Sequence, residues 1–159
     1  MDEVDLDELD RFIVFALQRD ARHTSASEIA EEADVSPSTV RKHIAKLEEM
    51  EIISGYHVDV DYERAGYQLQ TLIVCTADIP EREELAQRAR DIDGVVAVRE
   101  VMTGAENVHV EVVGRDGDDL SRIGRELDAI GLHVEDEDLI RNEYFTPFDG
   151  FAASASTEE

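Results

Sequence analysis

A helical period of apolar residues rules the first fifty residues of this chain and first gives way to alternation near residue 55. The chain must therefore be built as a helical unit followed by one that contains a sheet. In the helical part, Leu6, Leu9, Ile13, Ala16 and Leu17 fall on one face, widened by Phe12 and Phe15. Asp5 is placed to cap this helix, with Glu8 three residues on and Val4 and Leu9 at the hydrophobic-staple positions. Residues 20–24 form a connector. Ser25-x-x-Glu28 is a second capping box, and it opens a short helix with Ile29, Ala30 and Ala33 inward. Asp34-Val35-Ser36 then leads to Pro37. Ser36 suits the N-cap, and proline at the first helical position loses no intrahelical bond. The third helix buries Val40, Ile44 and Leu47. A longer first helix, then two helices joined by a three-residue turn, is the layout of a helix-turn-helix.

Beyond the change of period, residues 55–61 read as a short strand or linker, and residues 68–76 as a β-branched strand. Residues 81–92 are predicted helical, with Leu85, Ala89 and Ile92 inward, and stop at Gly94. A strand over 95–102 and a tight turn over 104–107 follow. Val108, Val110 and Val112 alternate with His109 and Glu111, which predicts a strand with one wet face. Residues 118–130 form a helix on Leu120, Ile123, Leu127 and Ile130, with Gly131 just past its end. Residues 132–147 supply the last strand. The fold class is α+β: an N-terminal helix-turn-helix of winged-helix type, then a β-α-β-β-α-β ferredoxin-like sandwich. The expected domains are 1–60 for the helices, 61–66 as linker, 67–148 for the sandwich and 149–159 as a patternless tail.

Charge narrows the function. The chain carries 15 Lys+Arg against 39 Asp+Glu, a formal net charge of −24. Lys is nearly eliminated: Lys42 and Lys46 stand alone beside the arginines. Acid spread along the whole length resembles proteins of extreme halophiles, whose carboxylates hold water and cations while molar salt screens their repulsion. Hydrophobic residues still make up 42%, enough for a core. No apolar run approaches the ~20 residues of a membrane span. The acidic start, Met1-Asp2-Glu3-Val4-Asp5, is unlike a secretory signal or presequence, and a cytoplasmic location is expected. The single cysteine, Cys75, excludes an internal disulfide framework and a multi-Cys zinc site. His57, His109 and His133 lack local metal-ligand spacing with Cys75, so no metal and no cofactor are assigned. No nucleophile motif or phosphate-binding glycine loop is present, and no enzymatic activity is expected.

Against this background the third helix is exceptional. With its inward residues removed, its outer face reads Ser38, Thr39, Arg41, Lys42, Ala45 and Lys46, which includes both lysines and no acid. Hydroxyls and a helix N-terminus suit phosphate oxygens, and Arg or Lys reach phosphates or guanine edges. The expected DNA-contacting set is Ser36, Ser38, Thr39, Arg41, Lys42, His43 and Lys46, with Arg22. Double-stranded DNA is the expected partner.

These residues lie within a wider pattern. Leu6-Asp7-x-x-Asp10-x-x-Ile13, Ala21-Arg22, Ile29-Ala30, Val35-Ser36-Pro37-Ser38-Thr39-Val40, Leu47-Glu48, Ile52-Ile53-Ser54-Gly55-Tyr56, Ala65-Gly66 and Thr103-Gly104-x-x-Asn107 resemble the Lrp/AsnC (feast/famine) transcription regulators from about Val4 to Phe148. The resemblance implies a winged-helix-type reader, a linking strand and a C-terminal domain that senses a small molecule, dimerises and assembles further. It places the effector, an amino acid or related metabolite, near Thr103, Gly104, Glu106 and Asn107. Residues 67–148 alone should form at least a dimer. Relatives of the same layout include sirohaem decarboxylases, but residues 61–159 offer 9 Arg and no Lys against 24 acids, a poor match for porphyrin carboxylates. A metal-responsive regulator is the other alternative. Four departures stand out. Asp34 and Glu51 replace glycines, His43 replaces a frequent Arg, and Asn107 replaces an Asp able to pair with an α-ammonium group.

Overall fold

The computed structural model describes residues 4–152. Three helices form the first unit: α1 (Glu8–Asp20), α2 (Ala26–Ala33) and α3 (Pro37–Glu49). Their common core is Ile13, Val14, Ile29, Ala30, Val40 and Leu47, with Ile44 packed at its margin. The caps of α2 and α3 are those expected. The Ser25 N–H donates to Glu28 Oε2 at 2.7 Å, the Glu28 N–H donates to Ser25 Oγ at 3.2 Å, and Ser36 Oγ accepts from the Thr39 N–H at 3.1 Å. The start of α1 is corrected. Asp7, not Asp5, is the N-cap, and Asp10, not Glu8, completes the capping box; Val4 is exposed rather than stapled. The pairs 5/8 and 7/10 both satisfy the i, i+3 rule, and Asp10 wins because its carboxylate is also engaged from α3, as described below.

Both non-glycine replacements sit in the left-handed region. Asp34 has φ 55° and Glu51 φ 57°. At Asp34 the chain turns so that the Val35 N–H reaches the Ala30 carbonyl at 3.0 Å; at Glu51 the Ile52 and Ile53 N–H groups return to the Leu47 carbonyl. These backward bonds satisfy helix-end carbonyls and offset the steric strain of a side chain there.

The second unit, Asp59–Glu143, is a four-stranded antiparallel sheet under two helices. Its elements are β1 (Leu69–Thr76), α4 (Arg82–Ala89), β2 (Val95–Glu100), β3 (Val108–Gly114), α5 (Gly117–Ile130) and β4 (His133–Leu139). The strand order is β2-β3-β1-β4, as a β-α-β-β-α-β sandwich requires. Ile73, Cys75, Ala77, Val108, Val110 and Val112 face Leu85, Ala86, Ala89, Ile123, Leu127 and Leu132. Burial pushes the Cys75 thiol up to about 12. The opposite face of the sheet is drier than alternation suggested. Glu111 is buried there, accepting from Gln70 Nε2 at 2.7 Å and pairing with Arg99 at 3.5 Å. No strand forms over residues 55–61, so that stretch is linker.

Gly94 turns the chain into β2 with φ 97°, and a Cβ there would lie 2.8 Å from Ile123 Cδ1 and 3.1 Å from the Val113 carbonyl oxygen. Gly94→Ala should destabilise this unit by about 2 kcal/mol, from left-handed strain plus a backbone clash. Denaturant unfolding in molar KCl checks this.

The last strand is shorter than the expected 132–147. Its pairing with β1 ends at Thr71 opposite Leu139. Among the described residues, 144–152 belong to the helical unit. A 3-10 turn at Asp149–Phe151 packs Phe151 onto the three-helix core, with Phe148 edge-on to it at 5.1 Å, where a patternless tail was expected. The remainder of that expected tail lies outside the described residues.

Candidate nucleic-acid interface and effector pocket

Helix α3 owes its position to a capped turn at one end and to an acid on another helix. At its start the hydroxyls cluster: Ser36 Oγ lies 3.0 Å from Ser38 Oγ and 2.8 Å from Thr39 Oγ1. The N-terminal turn of α3 contains no acid. Arg41 and Lys42 follow, both exposed on the same acid-free stretch. Hydroxyls, orphan N–H groups and two cations together make a surface suited to phosphate and base edges.

His43 and Lys46 are directed elsewhere. His43 Nδ1 lies 2.7 Å from Asp10 Oδ1, and the Lys46 ammonium donates to Asp10 Oδ2 at 2.9 Å. Asp10 is fully buried. Burial alone would raise its carboxyl, but the bonds from Lys46, His43 and the Asp7 N–H outweigh that and hold it below the usual carboxylate range. Lys46 is correspondingly raised, chiefly by its bond to Asp10. The expected DNA-contacting set is thus divided. Ser36, Ser38, Thr39, Arg41 and Lys42 lie at the N-terminal end of α3, whereas His43 and Lys46 are bonded to Asp10 on α1. Arg22 lies exposed in the turn between α1 and α2, on a separate element. Sequence reasoning named Asp10 only within the family pattern and gave it no role. Its signal was an acid on the apolar side of α1, three residues before the buried Ile13.

The same residues bear on metal binding. Among the described residues, Asp7, Asp10 and His43 can bring three ligand atoms within 4.8 Å of one another. One of the three, Asp10, already accepts from the Lys46 ammonium at 2.9 Å, so its charge has a partner within the protein. His57, His109, His133 and Cys75 form no such group.

The effector residues are also sorted by the structure. A cavity of about 530 Å³ opens between the end of β1 and the turn before β3, lined by Thr76, Ala77, Asp78, Ile79, Pro80, Glu81 and Gly104. Thr103 and Glu106 are exposed in that turn. Glu106, at φ 51°, donates its N–H to Thr76 Oγ1 at 2.8 Å. Asn107 is corrected: it is fully buried and does not line the cavity. Its Oδ1 accepts from the Ala77 N–H at 2.8 Å and its Nδ2 donates to the Ala77 carbonyl at 2.9 Å, so both ends of the amide are committed to backbone. Arg82 braces the other side of the turn through Glu100 and the Val101 carbonyl. The β1–α4 loop, missed in the sequence, contributes most of the lining.

Residues 6–54 match the winged helix-turn-helix DNA-binding family model. The transcriptional regulator LrpA of Pyrococcus horikoshii is 32% identical over 120 residues, spanning 74% of this chain and 82% of that protein. LrpA1 of Halobacterium salinarum is 34% identical over 111 residues, spanning 70% of this chain and 77% of that one. A feast or famine regulatory protein from M. tuberculosis, solved with L-methionine, shares the fold: TM-score 0.76 at 23% identity, over 89% of this chain and 96% of that chain. Fold, site and relatives together define a transcriptional regulator with a helix-turn-helix DNA-binding domain. The chain belongs to the Lrp/AsnC family. No helix among the described residues is long and apolar enough to cross a membrane.

Proposed function

We propose that the chain is a cytoplasmic, sequence-specific regulator that reads duplex DNA with α3 and adjusts its binding to a small molecule, an amino acid or related metabolite. The observation that carries this reading is the acid-free N-terminal half of α3, with its capped hydroxyl cluster and exposed Arg41 and Lys42, in a chain of net charge −24. Ser36, Ser38, Thr39, Arg41 and Lys42 are the contacts, with Arg22 available to a neighbouring phosphate. The cavity beside Thr76 and Gly104, with Thr103 and Glu106 at its edge, is the effector site. Two-fold association would place two α3 helices on half-sites about one helical turn, ~34 Å, apart.

The test is selection of duplexes from a random pool by the full chain, then titration of the selected sequence with and without a panel of L-amino acids. A preferred palindromic sequence is expected, with affinity altered by at least one amino acid. Affinity equal for selected and random duplexes would overturn sequence reading; affinity indifferent to the whole panel would overturn an amino-acid effector. Titrations belong in KCl from tenths-molar to molar, where the Debye length falls from ~10 to ~3 Å. Affinity should stay flat or rise, because screening of the acidic surface offsets the counterion loss at few phosphate contacts.

A further inference from the structure

Asp10 is a fully buried acid whose two side-chain partners both come from another helix. His43 and Lys46 are three residues apart on α3 and so project from neighbouring turns of one side. A carboxylate that grips both fixes the rotation of α3 about its own axis more tightly than apolar contacts at Val40 and Leu47, which tolerate sliding. The capping box with Asp7 in turn fixes the Asp10 rotamer from its own helix, the two carboxylates taking each other's backbone N–H at 2.7 and 3.2 Å. With α3 locked in this way, Ser38, Arg41 and Lys42 emerge together on the free side.

Resting on the DNA-reading assignment above, we infer that Asp10 is a positioning residue for DNA recognition: through His43 and Lys46 it sets the presentation of α3 and withholds Lys46 from phosphate contact. The lysine that the sequence counts among DNA contacts is thereby a strut: its side chain is 44% exposed, but its ammonium is held on Asp10 at 2.9 Å. Its charge is matched within the protein, so it releases no counterion when DNA binds. Lys42, on the free side, is the phosphate-contacting lysine.

The experiment uses the full chain and its Asp10→Asn, Lys46→Gln, His43→Gln and Lys42→Gln variants, with duplex DNA of selected and of random sequence, across a KCl series. Circular dichroism at each salt keeps folding separate. Lys42→Gln should weaken both duplexes alike and lower the salt slope by about one relative to wild type. Lys46→Gln should leave the slope on random duplex unchanged while the preference for selected over random sequence falls about tenfold. Asp10→Asn should lose the same preference and steepen the slope by about one, because the ammonium is freed; adding Lys46→Gln to it should restore the slope. If Asp10→Asn does not fold, the single-arm variants at Lys46 and His43 decide the matter. A Lys46→Gln slope reduced as much as that of Lys42→Gln overturns the inference, as does a folded Asp10→Asn with wild-type preference and slope. Wild-type protein that binds no duplex overturns the DNA reading itself, and this inference with it.

Discussion

Replacing Arg41 and Lys42 together by alanine should lower the affinity for duplex DNA about a hundredfold at fixed salt, with helical content unchanged. Both side chains are exposed, so their removal leaves no cavity and strands no buried partner. Each charge-assisted bond to phosphate is worth about 1.5 kcal/mol or somewhat more, and two such bonds account for the factor. The loss should be shared between selected and random sequence if both contact phosphate. It should fall mainly on selected sequence if one of them reads a guanine edge. Fluorescence anisotropy on the two duplexes separates these outcomes. A folded double variant with wild-type affinity would remove α3 from the interface.

Local rules carried much of this structure. The caps at Ser25 and Ser36 are sequence-adjacent hydrogen bonds, so spacing alone revealed them. The order of strands and helices followed from period. What stayed hidden depends on distant partners. A helical wheel tells which side of α3 Lys46 occupies relative to Val40 and Leu47, but says nothing of a carboxylate on α1. Asn107 looked like a change at a ligand because its neighbours line a turn; its real partner is the backbone of Ala77, just past the end of the neighbouring strand β1 and 30 residues away in sequence. Phe151 looked patternless because a single aromatic side chain has no period, and its packing surface was made at the other end of the chain.

Asn107→Ala should destabilise the sheet unit by about 3 kcal/mol. The Ala77 N–H and carbonyl would both lose their partner in a site closed to water, and each stranded group costs about 1–3 kcal/mol. The side-chain volume lost adds a small void beside Val108. A melting-temperature drop of roughly 6–12 °C follows for a chain of this size. Scanning calorimetry in molar KCl measures it, with effector titration as the second readout. The clamp holds the end of β1 where the cavity begins, so if the proposed effector site is correct, the remaining folded protein should bind a responsive amino acid more weakly.

The chain passes between its two compact units twice, near Val58 and near Tyr144. In genetic terms the sheet unit is an insert within a discontinuous reader, and the reader's final piece is supplied from beyond β4. A gene fragment stopped near residue 60 would encode α1, α2 and α3 without the aromatic turn that covers them. A protease nick in the linker after Val58 would leave two fragments still joined by non-covalent packing of Phe151. Liberating the sheet unit takes two cuts rather than one.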